Sequence, residues 1–220
     1  MTKDNIQPDM MADKAANNRR IAKNTLMLYA RMLVGMLVSL YTSRVLLNAL
    51  GVEDYGIYGA VGGFVSMFSL ISSSLTASVS RFLTFELGTG NKERLSRVFS
   101  TSVLIQISLA IIVVLLSETL GLWFMHHKMT IPVDRMGAAN VVFQVSIITF
   151  IFGLLSAPFS ATIVSHEKMG VFAFFGLFEI LARLGIVLFI AYCYLVNDRL
   201  KVYAVLVMAL SVIMQGIYIW

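Results

Sequence analysis

The stretch LMLYARMLVGMLVSLYTSRVLL, from Leu26 to Leu47, decides the fold class of this chain. A helix crosses the hydrocarbon of a bilayer in about 20 predominantly apolar residues, and this stretch is long enough to do so. It nevertheless contains two arginines, Arg31 and Arg44. On insertion scales a mid-helix arginine costs about 2.5 to 3.5 kcal/mol, so two central arginines would cancel the gain from the surrounding leucines and valines. The stretch therefore predicts a membrane span whose arginines need a physical reason.

The composition of the chain supports the same class. Of its 220 residues, 58% are hydrophobic and 13% are charged, whereas soluble domains are about 45–50% apolar and about 25% charged. The single cysteine, Cys193, excludes an intrachain disulfide and a cysteine-based metal cluster. We therefore predict an all-α fold, a polytopic membrane helical bundle.

Six apolar segments are long enough to be transmembrane helices, at about 24–48, 56–80, 97–118, 138–163, 169–196 and 202–220. The connectors between them are too short to fold into a domain. The predicted organisation is a polar cytoplasmic tail at 1–20, followed by one six-helix transmembrane lobe at 21–220. With the N-terminus inside, ten lysines and arginines lie in inner segments and four in outer ones. The positive-inside rule therefore predicts a cytoplasmic N-terminus.

Small residues mark one face of the second predicted span. Gly59 and Gly63 form a GxxxG pair, and Ser66, Ser69 and Ser73 continue the same face. Helices in lipid associate mainly through close packing of such residues. The pattern predicts a helix packed closely inside the bundle, with a dimer interface as the alternative.

Five charged residues in or beside the spans are the candidate substrate-binding residues. Arg31 is expected to face a polar cavity or to reach the inner headgroups, and Arg44 can extend to the outer interface. Glu179 and Arg183 stand four residues apart on one helix face, so they can form a structural pair or a pair that faces a cavity. Arg81, at the inner end of the second span, is expected at the interface.

The sequence contains no motif typical of an enzyme or of a nucleotide-binding protein. The basic connector after the second span lacks the GxxxxGK[ST] arrangement that cradles phosphates. His126, His127 and His166 do not have metal-ligand spacing, and no nucleophile stands near a base in the sequence. We therefore predict a protein that is not an enzyme, has no metal site and no cofactor, and binds no nucleic acid.

Several motifs resemble one transporter family when their order is considered. The segment TSRVLLNALGVEDYGIYGAVGG, at 42–63, resembles the first hairpin of the polysaccharide transporter family of oligosaccharide flippases. That family belongs to the multidrug/oligosaccharidyl-lipid/polysaccharide exporter superfamily. SRFLTFELGTGNKERLSRVFSTS, ETLGLWF and SAPFSATIVSHEKMGVFAFF are similar to successive later segments. The resemblance covers the chain from about residue 20, by the order and spacing of these motifs.

The resemblance implies a fold and an activity. Such proteins have two six-helix lobes around a central cavity and work by alternating access. They move lipid-linked oligosaccharides, usually on undecaprenyl pyrophosphate, across the bacterial cytoplasmic membrane for capsular polysaccharide or O-antigen synthesis. The implied partners are membrane lipids, the lipid-linked oligosaccharide, a second six-helix lobe and polysaccharide-assembly proteins, with H⁺ or Na⁺ as the coupling ion. In this setting Arg31 would hold an anionic headgroup.

The chain departs from the family in having six predicted spans, those of an N-terminal lobe. Its sixth span runs into Trp220, so a truncated gene, a split protein and an incomplete record are the expected explanations. Three other functions remain alternatives: a cation-coupled drug exporter of the same superfamily, a membrane-embedded glycan polymerase or glycosyltransferase, and a non-transporting scaffold. The second needs a sizeable loop or domain carrying carboxylates, which the short connectors do not provide.

Overall fold

A computed structural model of the chain describes residues 6–165, 169–193 and 198–219. Within these ranges the secondary structure is helical and contains no strand, which confirms the all-α prediction. The helices are α1 (Ile6–Ser66), α2 (Ser69–Thr89), α3 (Lys92–Leu116), α4 (Leu122–His127), α5 (Met136–Ser165), α6 (Met169–Tyr192) and α7 (Arg199–Ile219). A π-helical turn, Ser117–Gly121, joins α3 to α4.

Within the described residues, five helical segments are long and apolar enough to cross a membrane. They are Thr25–Ser66, Lys92–His127, Met136–Ile163, Ala173–Tyr192 and Arg199–Ile217. The chain therefore has the helices of a multi-pass membrane protein, as its composition predicted. The first segment combines residues from two of the predicted spans, because α1 continues on both sides of a break at Gly51.

The break at Gly51 turns the chain back on itself. Gly51 has φ 82° and ψ 169°, a backbone conformation that only glycine adopts readily. Arg31 and Gly59 line one cavity, although a straight helix would separate them by about 42 Å at 1.5 Å per residue. We name residues 6–50 the first arm of α1 and residues 52–66 the second arm; the two lie side by side.

The second predicted span, 56–80, is interrupted in the structure. α1 ends at Ser66 and α2 begins at Ser69, with a turn at Met67 and Phe68. The hydroxyls of Ser66 and Ser69 donate to the carbonyls of Gly63 and Ser66, and such local bonds compete with the helix ladder. The small-residue face of the sequence is consequently divided between two helices.

The core lies between the second arm, α5 and α7. Val61 packs there with Val142, Phe143 and Leu200. A second cluster, which includes Leu46, Val187 and Tyr203, joins the first arm to α6 and α7. The opposite side of the first arm is exposed and apolar, with Leu26, Tyr29, Leu33, Leu37 and Leu40 among its residues. In a membrane this side would face lipid or another helical unit.

Polar contacts fix the end of the bundle at which Gly51 lies. Arg135 Nε is 3.3 Å from Asp54 Oδ1, and Arg199 Nη1 donates a 3.0 Å hydrogen bond to the carbonyl of Ala49. Burial on its own would raise the pKa of Asp198, but hydrogen bonds from the side chain and backbone of Lys201 outweigh it and hold that pKa below its ordinary value. These contacts join the connectors around the Gly51 turn.

Candidate ligand cavity

A cavity of ≈ 490 Å³ lies between the two arms of α1, α6 and α7. We call it the larger cavity. From the first arm it is lined by Arg31, Gly35, Ser39, Thr42 and Leu46. These residues recur every three or four positions and so share one helix face. The amphipathic spacing that brings Arg31 to the cavity is therefore present in the sequence.

The Arg31 side chain reaches the larger cavity by passing over α6 at Gly176, where the lack of a side chain leaves space for it. A Cβ atom built on Gly176 would lie 2.1 Å from Arg31 Nη2 and 2.2 Å from its Cζ. The guanidinium thus occupies the space that any side chain at position 176 would fill. Gly176 sets where this charge lies.

Glu179 and Arg183 add a second charged group to the larger cavity. Glu179 Oε1 and Arg183 Nη2 are 4.0 Å apart, and their side chains are 34% and 44% exposed. The predicted pairing is confirmed, and both residues also line the cavity. At this distance the pair is a long one, and a ligand anion can compete with Glu179 for the Arg183 guanidinium.

A second cavity of ≈ 330 Å³ adjoins the first, and we call it the smaller cavity. Tyr58, Gly59 and Arg183 line both. The smaller cavity is also lined by Gly62 and Gly63 of the second arm. A Cβ atom on Gly59 or Gly63 would meet no atom within 4 Å. The prediction that this GxxxG face packs closely on another helix was therefore wrong, because the glycines leave a space instead.

Arg44 and Arg81 lie elsewhere. Arg44 is exposed and lines neither cavity. Thirteen residues separate it from Arg31, which rotates it by about 220° around the helix at 3.6 residues per turn. Arg81 is exposed on α2. The structure therefore brings together Arg31, Glu179 and Arg183 of the five predicted residues, and it places Arg44 and Arg81 outside this group.

Sequence reasoning missed the tyrosines of the larger cavity. Tyr55 and Tyr58 come from the second arm and Tyr203 from α7. The Tyr58 and Tyr203 rings meet edge to face with centroids 5.0 Å apart. No local pattern indicated their role, since they converge only after α1 folds back at Gly51. Together with Ser39, Thr42 and Ser43 they give the cavity a polar lining of hydroxyl groups.

This lining suits an anion with further polar groups. Two guanidinium groups, from the first arm and from α6, can each donate several hydrogen bonds to phosphate-type oxygens. Tyrosine and serine hydroxyls can donate or accept beside them. Among the described residues no group of three His, Cys, Asp or Glu side chains is placed to hold a metal ion.

Replacing Gly176 with alanine should displace the Arg31 guanidinium. Ordinary contacts need about 3.5 Å or more, so the guanidinium would have to move by about 1.5 Å. We expect binding of an anionic ligand to weaken about fivefold to tenfold, because the displaced guanidinium keeps only part of a charge-assisted hydrogen bond. Binding to the purified variant in lipid nanodiscs would measure this.

The matched control is Gly185→Ala on the same helix, since a Cβ atom there would meet nothing within 4 Å. Thermal unfolding of both variants should resemble that of the unaltered protein, because the atoms that yield at Gly176 are the end of a flexible side chain. Equal ligand binding by the two variants would show that Gly176 does not position Arg31.

Comparisons of the chain with models of protein families, with curated proteins and with solved structures found no match. The resemblance to the oligosaccharide flippases stays a prediction, and the function is argued from the cavity.

Proposed function

We propose that this protein is a six-helix lobe of a membrane exporter that moves a lipid-linked oligosaccharide from the inner to the outer leaflet. In this proposal the larger cavity receives the pyrophosphate headgroup. The observation that carries it is the convergence of Arg31 and Arg183, from two different helices, on one cavity inside a bundle of apolar helices.

The insertion cost of these arginines favours a functional role. A charged residue within a membrane span is expensive and typically faces a cavity, a partner or a transport path. Arg31 faces the cavity although leucines and methionines surround it on the first arm. Guanidinium forks bind phosphate oxygens in pairs. A diphosphate has enough oxygen atoms to accept hydrogen bonds from both guanidinium groups at once.

The amphiphilic surroundings of the cavity support a lipid-linked substrate. The headgroup would lie between the helices, while the polyprenyl chain would extend along the exposed apolar side of the bundle. Lys92, Arg94 and Arg97 lie where α3 begins. This part of α3 packs beside Ala161 near the end of α5, whereas Arg135, just before the start of α5, pairs with Asp54 beside Gly51, so the basic residues lie at the end of the bundle away from Gly51. This asymmetry supports a cytoplasmic position for that end. The protein would then lie in the bacterial cytoplasmic membrane with its N-terminus on the cytoplasmic side.

One observation favours the drug-exporter alternative. Glu179 lines the same cavity, and a carboxylate there could bind an organic cation or a coupling ion. Because Arg183 lies 4.0 Å from it, a cation would first have to displace the guanidinium. The two arginines outnumber this carboxylate in the larger cavity, and the anion is therefore the preferred ligand.

The test is a binding measurement with three probes on the purified protein in nanodiscs. Undecaprenyl pyrophosphate should bind at least tenfold more tightly than undecaprenol, which lacks the charged headgroup, since several charge-assisted hydrogen bonds distinguish them. A lipophilic organic cation such as tetraphenylphosphonium is the third probe. Preference for that cation, or equal binding of the two polyprenyl lipids, would contradict the proposal.

A further inference from the structure

The smaller cavity is lined by more apolar groups than the larger one, and its hydroxyl groups besides that of Tyr58 come from Ser66, Ser146 and Thr149. We propose that it binds the sugar residue attached directly to the pyrophosphate, so that the two cavities divide the headgroup between them. This inference rests on the proposed function and assigns the polar part of the substrate in more detail. It names a hydroxyl-rich ligand, not a polyprenyl chain, as the occupant.

The hydroxyl groups around the smaller cavity present acceptors. Ser146 and Thr149 of α5 donate their hydroxyl hydrogens to the carbonyls of Val142 and Val145, at 2.7 and 2.8 Å. Ser66 of the second arm donates to its own helix in the same way. A hydroxyl has one hydrogen to donate and two lone pairs to accept with. Once the hydrogen is used, each of these three oxygens can only accept, and the ligand must supply a donor to it.

A sugar meets this requirement. Each of its hydroxyl groups can donate a hydrogen bond to these oxygens, whereas a polyprenyl chain offers no donor and would leave their lone pairs unused. Val145, Phe150 and Val207 form the apolar part of the lining, which matches the C–H faces of a sugar ring. The volume of ≈ 330 Å³ is within the range of about 300–1,000 Å³ in which small-molecule sites fall.

The junction between the cavities is where the two parts of the headgroup would meet. Arg183 and Tyr58 line both cavities, so a diphosphate held by Arg183 lies at the entrance of the smaller one. The group bonded to the phosphate farther from the polyprenyl chain would then enter the smaller cavity. In a lipid-linked oligosaccharide that group is the first sugar.

Filling the smaller cavity should remove the contribution of the sugar to the binding affinity and leave the contribution of the pyrophosphate. Gly63 lines only the smaller cavity, and a Cβ atom there meets nothing within 4 Å, so the side chain of Gly63→Leu starts from open space at the cavity wall. The probes are undecaprenyl pyrophosphate alone and undecaprenyl pyrophosphate carrying one hexose. We expect the unaltered protein to bind the hexose-bearing lipid about tenfold more tightly, through one or two added hydrogen bonds. Gly63→Leu should abolish that difference.

Two further variants make the result specific. Gly185→Leu carries the same substitution on α6 at a position outside both cavities, and it should keep the tenfold preference. Thr149→Val removes one acceptor with little change in shape and should reduce the preference about threefold to fivefold. Thermal unfolding of each variant, compared with that of the unaltered protein, confirms that the fold is retained.

The outcomes separate this inference from the proposed function. If Gly63→Leu keeps the preference for the hexose-bearing lipid, or if it weakens both lipids equally, the sugar does not lie in the smaller cavity. The binding of undecaprenyl pyrophosphate itself would still support the proposed function. If the unaltered protein binds neither lipid, the proposed function fails, and the sugar site fails with it.

Discussion

Replacing Arg31 with alanine should weaken binding of undecaprenyl pyrophosphate about 10- to 100-fold. The guanidinium lies in the larger cavity against Gly176, and its loss removes the equivalent of one charge-assisted hydrogen bond to a phosphate oxygen. Each such bond contributes about 1.5–3 kcal/mol, and every 1.4 kcal/mol is a factor of about ten in the dissociation constant. The measurement is a titration of purified protein in nanodiscs.

Arg44→Ala is the matched control for this prediction. It removes the same side chain from the same arm of α1, but Arg44 is exposed and lines neither cavity. Binding by this variant should stay within about twofold of the unaltered value, a change of about 0.4 kcal/mol. If the two variants lose affinity equally, both arginines act by a general attraction to the anionic lipid. That result would contradict binding of the headgroup in the larger cavity.

Gly51→Ala should destabilise the protein more than the same substitution at Gly90 or Gly56. At φ 82° and ψ 169° an alanine is held in a region that is essentially closed to residues with a Cβ atom, which costs about 2–3 kcal/mol. The substitution creates no clash, since nothing lies within 4 Å of the added atom. The loss would therefore reflect backbone strain at the turn between the two arms. Reversible unfolding in mixed detergent, followed by circular dichroism, measures it.

Two other glycines calibrate that experiment. Gly90, at φ 71° and ψ 6°, ends α2 in the ordinary left-handed conformation, so Gly90→Ala should cost about 1 kcal/mol. Gly56 lies in regular helix with open space around it, and Gly56→Ala should be neutral or slightly stabilising. A Gly51→Ala variant as stable as Gly56→Ala would show that the turn does not depend on the glycine conformation.

The sequence allowed the class of the fold and part of the site to be predicted. Long apolar segments indicated membrane helices, and the spacing of Arg31, Gly35, Ser39 and Thr42 already puts them on one helix face. The i, i+4 spacing of Glu179 and Arg183 also predicted their pairing. These features depend on local geometry, which a periodic pattern encodes directly.

The remaining features depend on which helices meet. Gly176 lies beside Arg31 only because the first arm packs on α6, and no pattern within either segment expresses that pairing. The connector around Gly51 was expected to separate two spans, but helix continues to within one residue of the glycine. Gly59 and Gly63 show the same limit, since small residues permit either a close helix contact or an open cavity.

Photo-crosslinking with undecaprenyl pyrophosphate that carries a diazirine next to its headgroup tests most directly whether the substrate enters the bundle. We expect labelling on the cavity face of the first arm, at Gly35, Ser39 or Ser43, and on α6 between Gly176 and Arg183. Excess unlabelled lipid should suppress that labelling. Labels confined to Leu33, Leu37 and Leu40, on the exposed side of the first arm, would place the headgroup outside the bundle and contradict the account.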